Sequence, residues 1–432
     1  MSLLIKDIYY LPMTGSGKLH KGSIRIEGQR ITEMGNLTPK WGEEIIYGQD
    51  KVALPGFVNC HCHAAMSMLR GYGENLPLQQ WLGLVQPAER HLDSEDLFWG
   101  ALLSQMEMLK AGVTCYADMY FEEDSARWAM EESGIRAVLG EGLVDSDGRG
   151  EAYLYHALQQ ADRCKNDQEG RLTYALAPHA VYSCSGSYLQ TVAEEARKRD
   201  LPLHIHVAET MKEQEECLAA TGKRVMPYLA DLGILDGKVF AAHMIHLNDE
   251  ELDITADHDV RVAHCPQSNM KLASGVLPYP AYKQRGVCVG LGTDGPASNN
   301  DLDMLEEMRT ASLLQKVTTM DSTVLGAYES LAMATVNGAK TLFLDDVIGT
   351  LEPGKKADIA ILSLWRPHFY PRNDQNDLLS HLAYTAKSGD VHTVIVNGKV
   401  RVRAGKCVDL DEGRVYHEVQ KRAMRFWDRV GR

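Results

Sequence analysis

The chain has 432 residues, 44% hydrophobic and 24% charged, with a formal net charge of −14. That length exceeds one ordinary core and points to a large barrel or two domains with a sizeable interior. The negative charge argues against general affinity for nucleic acid or anionic membranes, which need concentrated Lys and Arg.

Met1 to Met13 is apolar but broken by Lys6 and Asp7 before a secretory core could form. No window approaches the ~18 apolar residues of a membrane span. Nine scattered cysteines then read as reduced thiols and the protein as cytoplasmic. Residues 3–54 alternate β-rich segments (Leu3 to Tyr10, Gly22 to Glu27, Arg30 to Met34) with Gly and Pro turns. The texture returns after Gly349, where Ala357 to Leu362 and Thr393 to Val396 read as strands and Asn397-Gly398 as a hairpin turn into Val400 to Arg403. Residues 1–54 and 350–410 are therefore expected to form a composite β-sandwich. Residues 411–432 are expected to form a helix, with Lys421, Arg422, Arg425, Arg429 and Arg432 as a solvated basic face.

Over residues 55–349 short apolar runs alternate with helical periodicity, the pattern of β-α units around a parallel sheet. Eight runs occur: Ala53 to His63, Val113 to Met119, Ile135 to Leu143, Leu172 to His179, Leu203 to Glu209, Lys238 to His243, Val260 to His264 and Val287 to Asp294. They predict an α/β fold, a (β/α)8 barrel carrying the small β-sandwich. His63, His179, His206, Glu209, His243, His264 and Asp294 fall at the C-terminal ends of these runs, the face on which barrel active sites assemble.

In Pro55-Gly56-Phe57-Val58-Asn59-Cys60-His61-Cys62-His63, strand alternation points His61 and His63 one way and Cys60 and Cys62 the other. The cysteines are read as small buried thiols facing the helices, not as ligands. A lone His-x-His is weak evidence. Leu203 to Glu209 adds a histidine at a strand end and a carboxylate three residues on, and Gly292-Thr293-Asp294-Gly295 ends the last strand with an aspartate between glycines expected to permit a sharp turn. Three imidazoles, one carboxylate and an open position for water describe a catalytic site for zinc or a similar ion. His91, His156, His258, His381 and His392, away from strand ends, read as surface or core residues.

Taken with Ala241-Ala242-His243 and His264-Cys265-Pro266-x-Ser268-Asn269-x-Lys271-Leu272, these motifs resemble the amidohydrolase superfamily over nearly the whole chain and in the right order. Within it the chain is most similar to the 5-methylthioadenosine/S-adenosylhomocysteine deaminases, close kin of the triazine hydrolases. The resemblance implies His61, His63, His206 and Asp294 as metal ligands, Glu209 as proton shuttle, and His243 with Asp294 orienting the water. Binuclear relatives use a carboxylated lysine on the fourth strand. Leu172 to His179 contains none, so one divalent ion per chain is expected: Zn2+, with Fe2+ or Mn2+ as alternatives. Substrate contacts implied in the same way are Trp81 within Leu76 to Leu82, Glu89 for the ribose hydroxyls, Arg149 for a homocysteine carboxylate, His179 and His264. Three positions depart from the family pattern: Cys60 replaces the usual Thr, Cys265 a common Asn, and Glu141 a residue that is basic in some deaminases.

The implied activity is hydrolytic deamination of an adenosine-type nucleoside (5-methylthioadenosine, S-adenosylhomocysteine or adenosine) to its inosine analogue and ammonia. Its partner is a small nucleoside, not nucleic acid or membrane, and a homo-oligomer is a family-level expectation. The alternative is hydrolysis of another amino- or chloro-substituted ring, a triazine, guanine or pterin, with Glu89 the discriminating residue. A non-catalytic barrel scaffold is the remote alternative, against which stands a ligand set with no member missing.

Overall fold

The computed structural model describes residues 2–165, 167, 169–372 and 377–431. Strands Ser2–Tyr10, His20–Glu27, Arg30–Gly35, Glu44–Tyr47 and Lys51–Pro55 from the start of the chain join Ile359–Ser363, Val391–Val396, Lys399–Arg403 and Lys406–Cys407 from its end. Instead of two separate sheets facing each other, they form one nine-stranded sheet that branches. The Ser2–Tyr10 strand pairs through Leu3 to Lys6 with Glu44–Tyr47, then through Tyr9 and Tyr10 with Lys51–Pro55. Between the two lies a bulge at Asp7, whose φ is +56°; a bulge bends and twists a strand, here turning it from one partner to the next. The sheet buries its own core, with Ile5, Ile8, Ile24, Ile26, Ile359 and Ile395 inside. Asn397 (φ +53°) and Gly398 (φ +78°) make the predicted hairpin turn, both central residues left-handed.

The barrel strands are Phe57–Cys62, Val113–Asp118, Arg136–Leu139 continued by Gly142–Leu143, Leu172–Tyr174 continued by Ala177–Pro178, Leu203–Val207, Val239–His243, Arg261–His264 and Val289–Leu291. The first four pair in parallel in chain order, as do the last four. A bridge between Leu176 and Leu203 joins the fourth strand to the fifth. The eighth meets the first where the Asp294 amide donates to the His61 carbonyl at 3.0 Å. Helices follow the strands and cover the barrel, as βαβ connections require.

Two expectations need correction. The run Ala53 to His63 is two strands in two sheets, divided at Gly56, where a Cβ would lie 2.1 Å from Thr114 Oγ1. Only glycine lets the chain cross that close to the second barrel strand. The basic face of the final helix, Glu412–Val430, is not simply solvated. Arg422 is buried and bonds Asp96 at 3.3 Å and Glu95, while Arg429 bonds Asp93 at 3.2 Å and Asp96. Those acids cap and begin helix Ser94–Lys110, where negative charge complements the helix dipole and so offers the arginines a ready partner. Arg432 lies outside the described residues. No helix among the described residues is long and apolar enough to cross a membrane.

A sealed ion pair ties the two parts together: Arg136 on the third barrel strand holds Asp358 through Nε at 2.8 Å and Nη2 at 3.0 Å, both side chains about 2% exposed. Removing one partner strands the other charge in a dry interface, so Asp358→Ala should cost about 3–5 kcal/mol. Pairing that change with Arg136→Met should recover much of the loss. Denaturant unfolding of the single and double variants checks both expectations.

Candidate metal centre and active site

His61 points inward near the end of the first strand, with His63 just beyond, while Asn59 faces helix Ser94–Lys110, its Nδ2 3.6 Å from Met108 Sδ; a register shift between Asn59 and Cys62 breaks the simple alternation. The Asn59 side chain bonds across to the eighth strand's end, its Nδ2 donating to Thr293 Oγ1 at 2.7 Å and its Oδ1 accepting the Thr293 amide at 3.0 Å. Cys62 turns outward into the helix-packed core, but Cys60 points into the barrel, clustered with Val58 and with Cys115, Val138, Phe240 and Ala263 of other barrel strands, a correction to the expectation that both thiols face the helices. Gly292 lies on the His61 backbone, where a Cβ would come within 2.8 Å of the His61 nitrogen, and Gly295 packs against Met66 and His63. These glycines supply space, and the sharp turn expected of them falls on Asp294 itself, at φ +61°.

Around this seam His61, His63 and Asp294 bring one ligand atom each within 4.8 Å of one another, as do His61, His206 and His243. His61 Nε2 and His63 Nε2 stand 3.3 and 3.2 Å from Asp294 Oδ1. The other ring nitrogen of each histidine is engaged elsewhere: His63 Nδ1 with the Met119 carbonyl at 2.6 Å, His206 Nδ1 with the His179 carbonyl at 2.8 Å, His243 Nδ1 with Asn269 Oδ1 at 2.9 Å, and His61 Nδ1 with His204 Nε2 at 2.8 Å. Asp294 accepts from Ser268 at 2.6 Å, Ser298 at 2.8 Å and the Gly295 amide at 2.8 Å. Burial pushes the His61 imidazole down to about 3 and holds His206 well below its ordinary range, so both rings present bare lone pairs. His61 Nε2 is buried with no hydrogen-bond partner among the described residues. An orphaned lone pair facing a carboxylate and two further imidazoles is the donor set of a divalent ion, and the residues fit one.

Glu209 sits beside this cluster, Oε1 accepting from Ser274 at 3.0 Å and Oε2 3.8 Å from His243 Nε2. Burial raises its carboxyl above the usual range. The preceding Ala208 is left-handed (φ +49°), and Glu213 Oε2 accepts the Glu209 amide at 3.0 Å.

A cavity opens from the cluster, lined by His63, His206, Glu209, His243 and Asp294 together with Trp81, Val85 and Glu89. Trp81 and Glu89 belong to one helix, Leu78–Glu89, and helical spacing sends Trp81, Val85 and Glu89 to the same face. Glu89 Oε1 accepts from Tyr120 at 2.7 Å, and burial pushes its carboxyl up to about 7. Trp81 Nε1 is buried without a hydrogen-bond partner among the described residues. His179 also lines the cavity, held by Ser183 at 2.8 Å. Arg149 stands apart in the outer vestibule, exposed and paired with Asp147 at 2.8 Å. Glu141 also faces the vestibule and is bonded to His156, a histidine read from sequence as a surface or core residue. His264 is not brought to the cavity: it is 1% exposed, with neither ring nitrogen partnered among the described residues. Tyr120 and Ser274 escaped sequence reading, while Asn59, His204, Ser268 and Asn269 stood inside quoted segments without roles.

The sequence profile of the amidohydrolase family matches residues 52–401. The chain is 44% identical to a 5-methylthioadenosine/S-adenosylhomocysteine deaminase of Pelotomaculum thermopropionicum, covering 99% of each. The chain belongs to the amidohydrolase family. A deaminase of the same description from Moorella thermoacetica is also 44% identical, over 97% of this chain and 98% of the relative. Among solved structures, an adenosine deaminase from Xanthomonas campestris with bound zinc superposes with a TM-score of 0.94 at 31% identity, over 99% of this chain and 98% of that one. An atrazine chlorohydrolase from Arthrobacter aurescens complexed with zinc shares the fold, with a TM-score of 0.91 at 24% identity over 98% of this chain and 100% of that one. The family's barrel is thus the architecture that carries this amidohydrolase's cluster.

His61→Ala and Asp294→Ala should each strip the protein of metal, and Gly292→Ala should lower occupancy by pushing the His61 backbone aside. Cys62→Ser should leave occupancy at the wild-type level. Elemental analysis of the four purified variants reads all of this directly.

Proposed function

We propose that the chain hydrolytically deaminates an adenosine-type nucleoside, releasing ammonia, with one zinc ion per chain held by His61, His63, His206 and Asp294. The observation that carries the reading is one cavity lined by the metal-ligand cluster, by the buried acid Glu209 beside it and by a second carboxylate, Glu89. The full-length likeness to proteins described as 5-methylthioadenosine/S-adenosylhomocysteine deaminases supports it. When bound, the ion supplies a Lewis acid that brings the pKa of water toward neutrality. The absence of lysine from Leu172 to His179 supports a single ion.

The chain's own residues do the rest. Glu209, its carboxyl raised by burial, takes a proton from the attacking water and delivers it to a ring nitrogen, which makes the amino-bearing carbon electrophilic. His243, its Nδ1 fixed by Asn269, and Asp294, fixed by two serines, orient the water. Glu89 offers acceptor oxygens to vicinal ribose hydroxyls, with Tyr120 holding its carboxylate in place. Trp81 and His179 flank the nucleoside. Arg149, already paired with Asp147, would have to exchange that partner to meet a substrate carboxylate. The same reading places the enzyme in the cytoplasm.

Glu209→Gln keeps the shape and one acceptor but cannot carry the proton. It should retain metal and substrate affinity while ammonia release slows by about 10²–10⁴-fold. Metal content, substrate binding and ammonia release measured on one preparation separate this from a structural defect, and near-normal release would remove Glu209 from the mechanism. Glu89→Ala should lower kcat/KM for adenosine roughly 10–100-fold, the worth of a hydrogen bond to a charged group. A 2′,3′-dideoxy analogue should show little change, and a triazine or guanine hydrolase would not depend on Glu89 in this way.

A further inference from the structure

His204 lies on the same inward face of the fifth strand as His206, one layer deeper, and is wholly buried. Its Nε2 is 2.8 Å from His61 Nδ1, its Nδ1 has no partner among the described residues, and its ring stacks on Phe240 with centroids 4.3 Å apart. A histidine that offers Nε2 to a cation must carry its proton on Nδ1, and that proton needs an acceptor. His63 and His206 use backbone carbonyls and His243 uses an amide oxygen. His61, the deepest of the four, meets only another imidazole.

We infer that His204 is a positioning residue for the metal centre: it accepts the His61 Nδ1 proton on Nε2, locks His61 in the tautomer that bares Nε2 toward the ion, and itself exists as the Nδ1–H tautomer. The assignment balances. One proton sits between the rings, His61 donates it, and the remaining His204 proton points from Nδ1 into the core. Without the acceptor the proton is free to move to His61 Nε2, where it occupies the lone pair the ion needs. This inference rests on the metal reading above.

The geometry also specifies a rescue. Gln Oε1 and His Nε2 are both three bonds beyond Cβ, whereas Asn Oδ1 matches only Nδ1. The test measures zinc affinity of metal-free wild type, His204→Leu, His204→Asn and His204→Gln by competition with a chromophoric chelator. The fold of each metal-free variant is followed by circular dichroism and thermal unfolding. His204→Leu and His204→Asn should bind zinc about 10–100-fold more weakly, the usual effect of losing a partner that orients a ligand, and His204→Gln should stay near wild type. Should His204→Leu fail to fold, the Gln and Asn variants decide the matter between them. Wild-type affinity in a folded His204→Leu, or Gln binding as weakly as Asn, would overturn the role. Wild-type protein that takes up no zinc would overturn the metal reading itself and this inference with it.

Discussion

The closure of the barrel between its first and last strands is the contact on which everything else in this molecule depends. The Asp294 amide bonds the His61 carbonyl, the Asn59 side chain bonds both main-chain and side-chain atoms of Thr293, and Gly292 lies flat on the His61 backbone. Those bonds are structural, yet they are made by the residues beside His61 and Asp294 and by the backbones of those two residues. Sealing the barrel and bringing two histidines to one aspartate are therefore a single event. A barrel open at this seam would lose its core and its chemistry together.

From that seam the rest of the site is braced by its neighbours. The ring of His63 leans on the end of the second strand through Met119, that of His206 on the end of the fourth through His179, and Asp294 on serines that follow the seventh and eighth strands. Backbone carbonyls at strand ends are fixed by the sheet, so they orient an imidazole at little further entropic expense. The order of the strands thereby sets the direction of each functional ring. Preorganisation of this kind is what a polar site in a dry interior requires, since polar groups there are costly until partnered.

Local periodicity made much of this legible. The parity of His61 and His63 against Cys62, and the placing of His206, His243 and Asp294 at the ends of apolar runs, follow from alternation along single strands, whereas the register shift between Asn59 and Cys62 turns Cys60 into the barrel against that pattern. What escaped depends on residues far apart in sequence. His204 gains meaning only because His61, 143 positions earlier, comes to lie beneath it, and Tyr120 only because the Leu78–Glu89 helix delivers Glu89 to it. Gly56 hid a boundary inside one apolar run, since the crowding by Thr114 that demands glycine is invisible until the sheets are assembled. The arginines of the last helix looked free because their acidic partners lie more than 300 residues away. In each case a local pattern was right about type and silent about partner.

The left-handed backbone at Ala208 (φ +49°), His243 (φ +71°) and Asp294 (φ +61°) sets a ceiling on how rigid this enzyme can become. Each such residue costs of the order of 1–3 kcal/mol, and glycine or asparagine would relieve the tension. At His243 and Asp294 that relief would delete the functional side chain, so the tension there can be diluted by strengthening other parts of the molecule but not removed. Only at Ala208 could drift soften it, and Ala208 is the residue whose bend aims Glu209. Descendants of this chain that gain heat resistance are thus constrained to find it away from the barrel mouth, in the sheet, the helices and the ion pairs that join them.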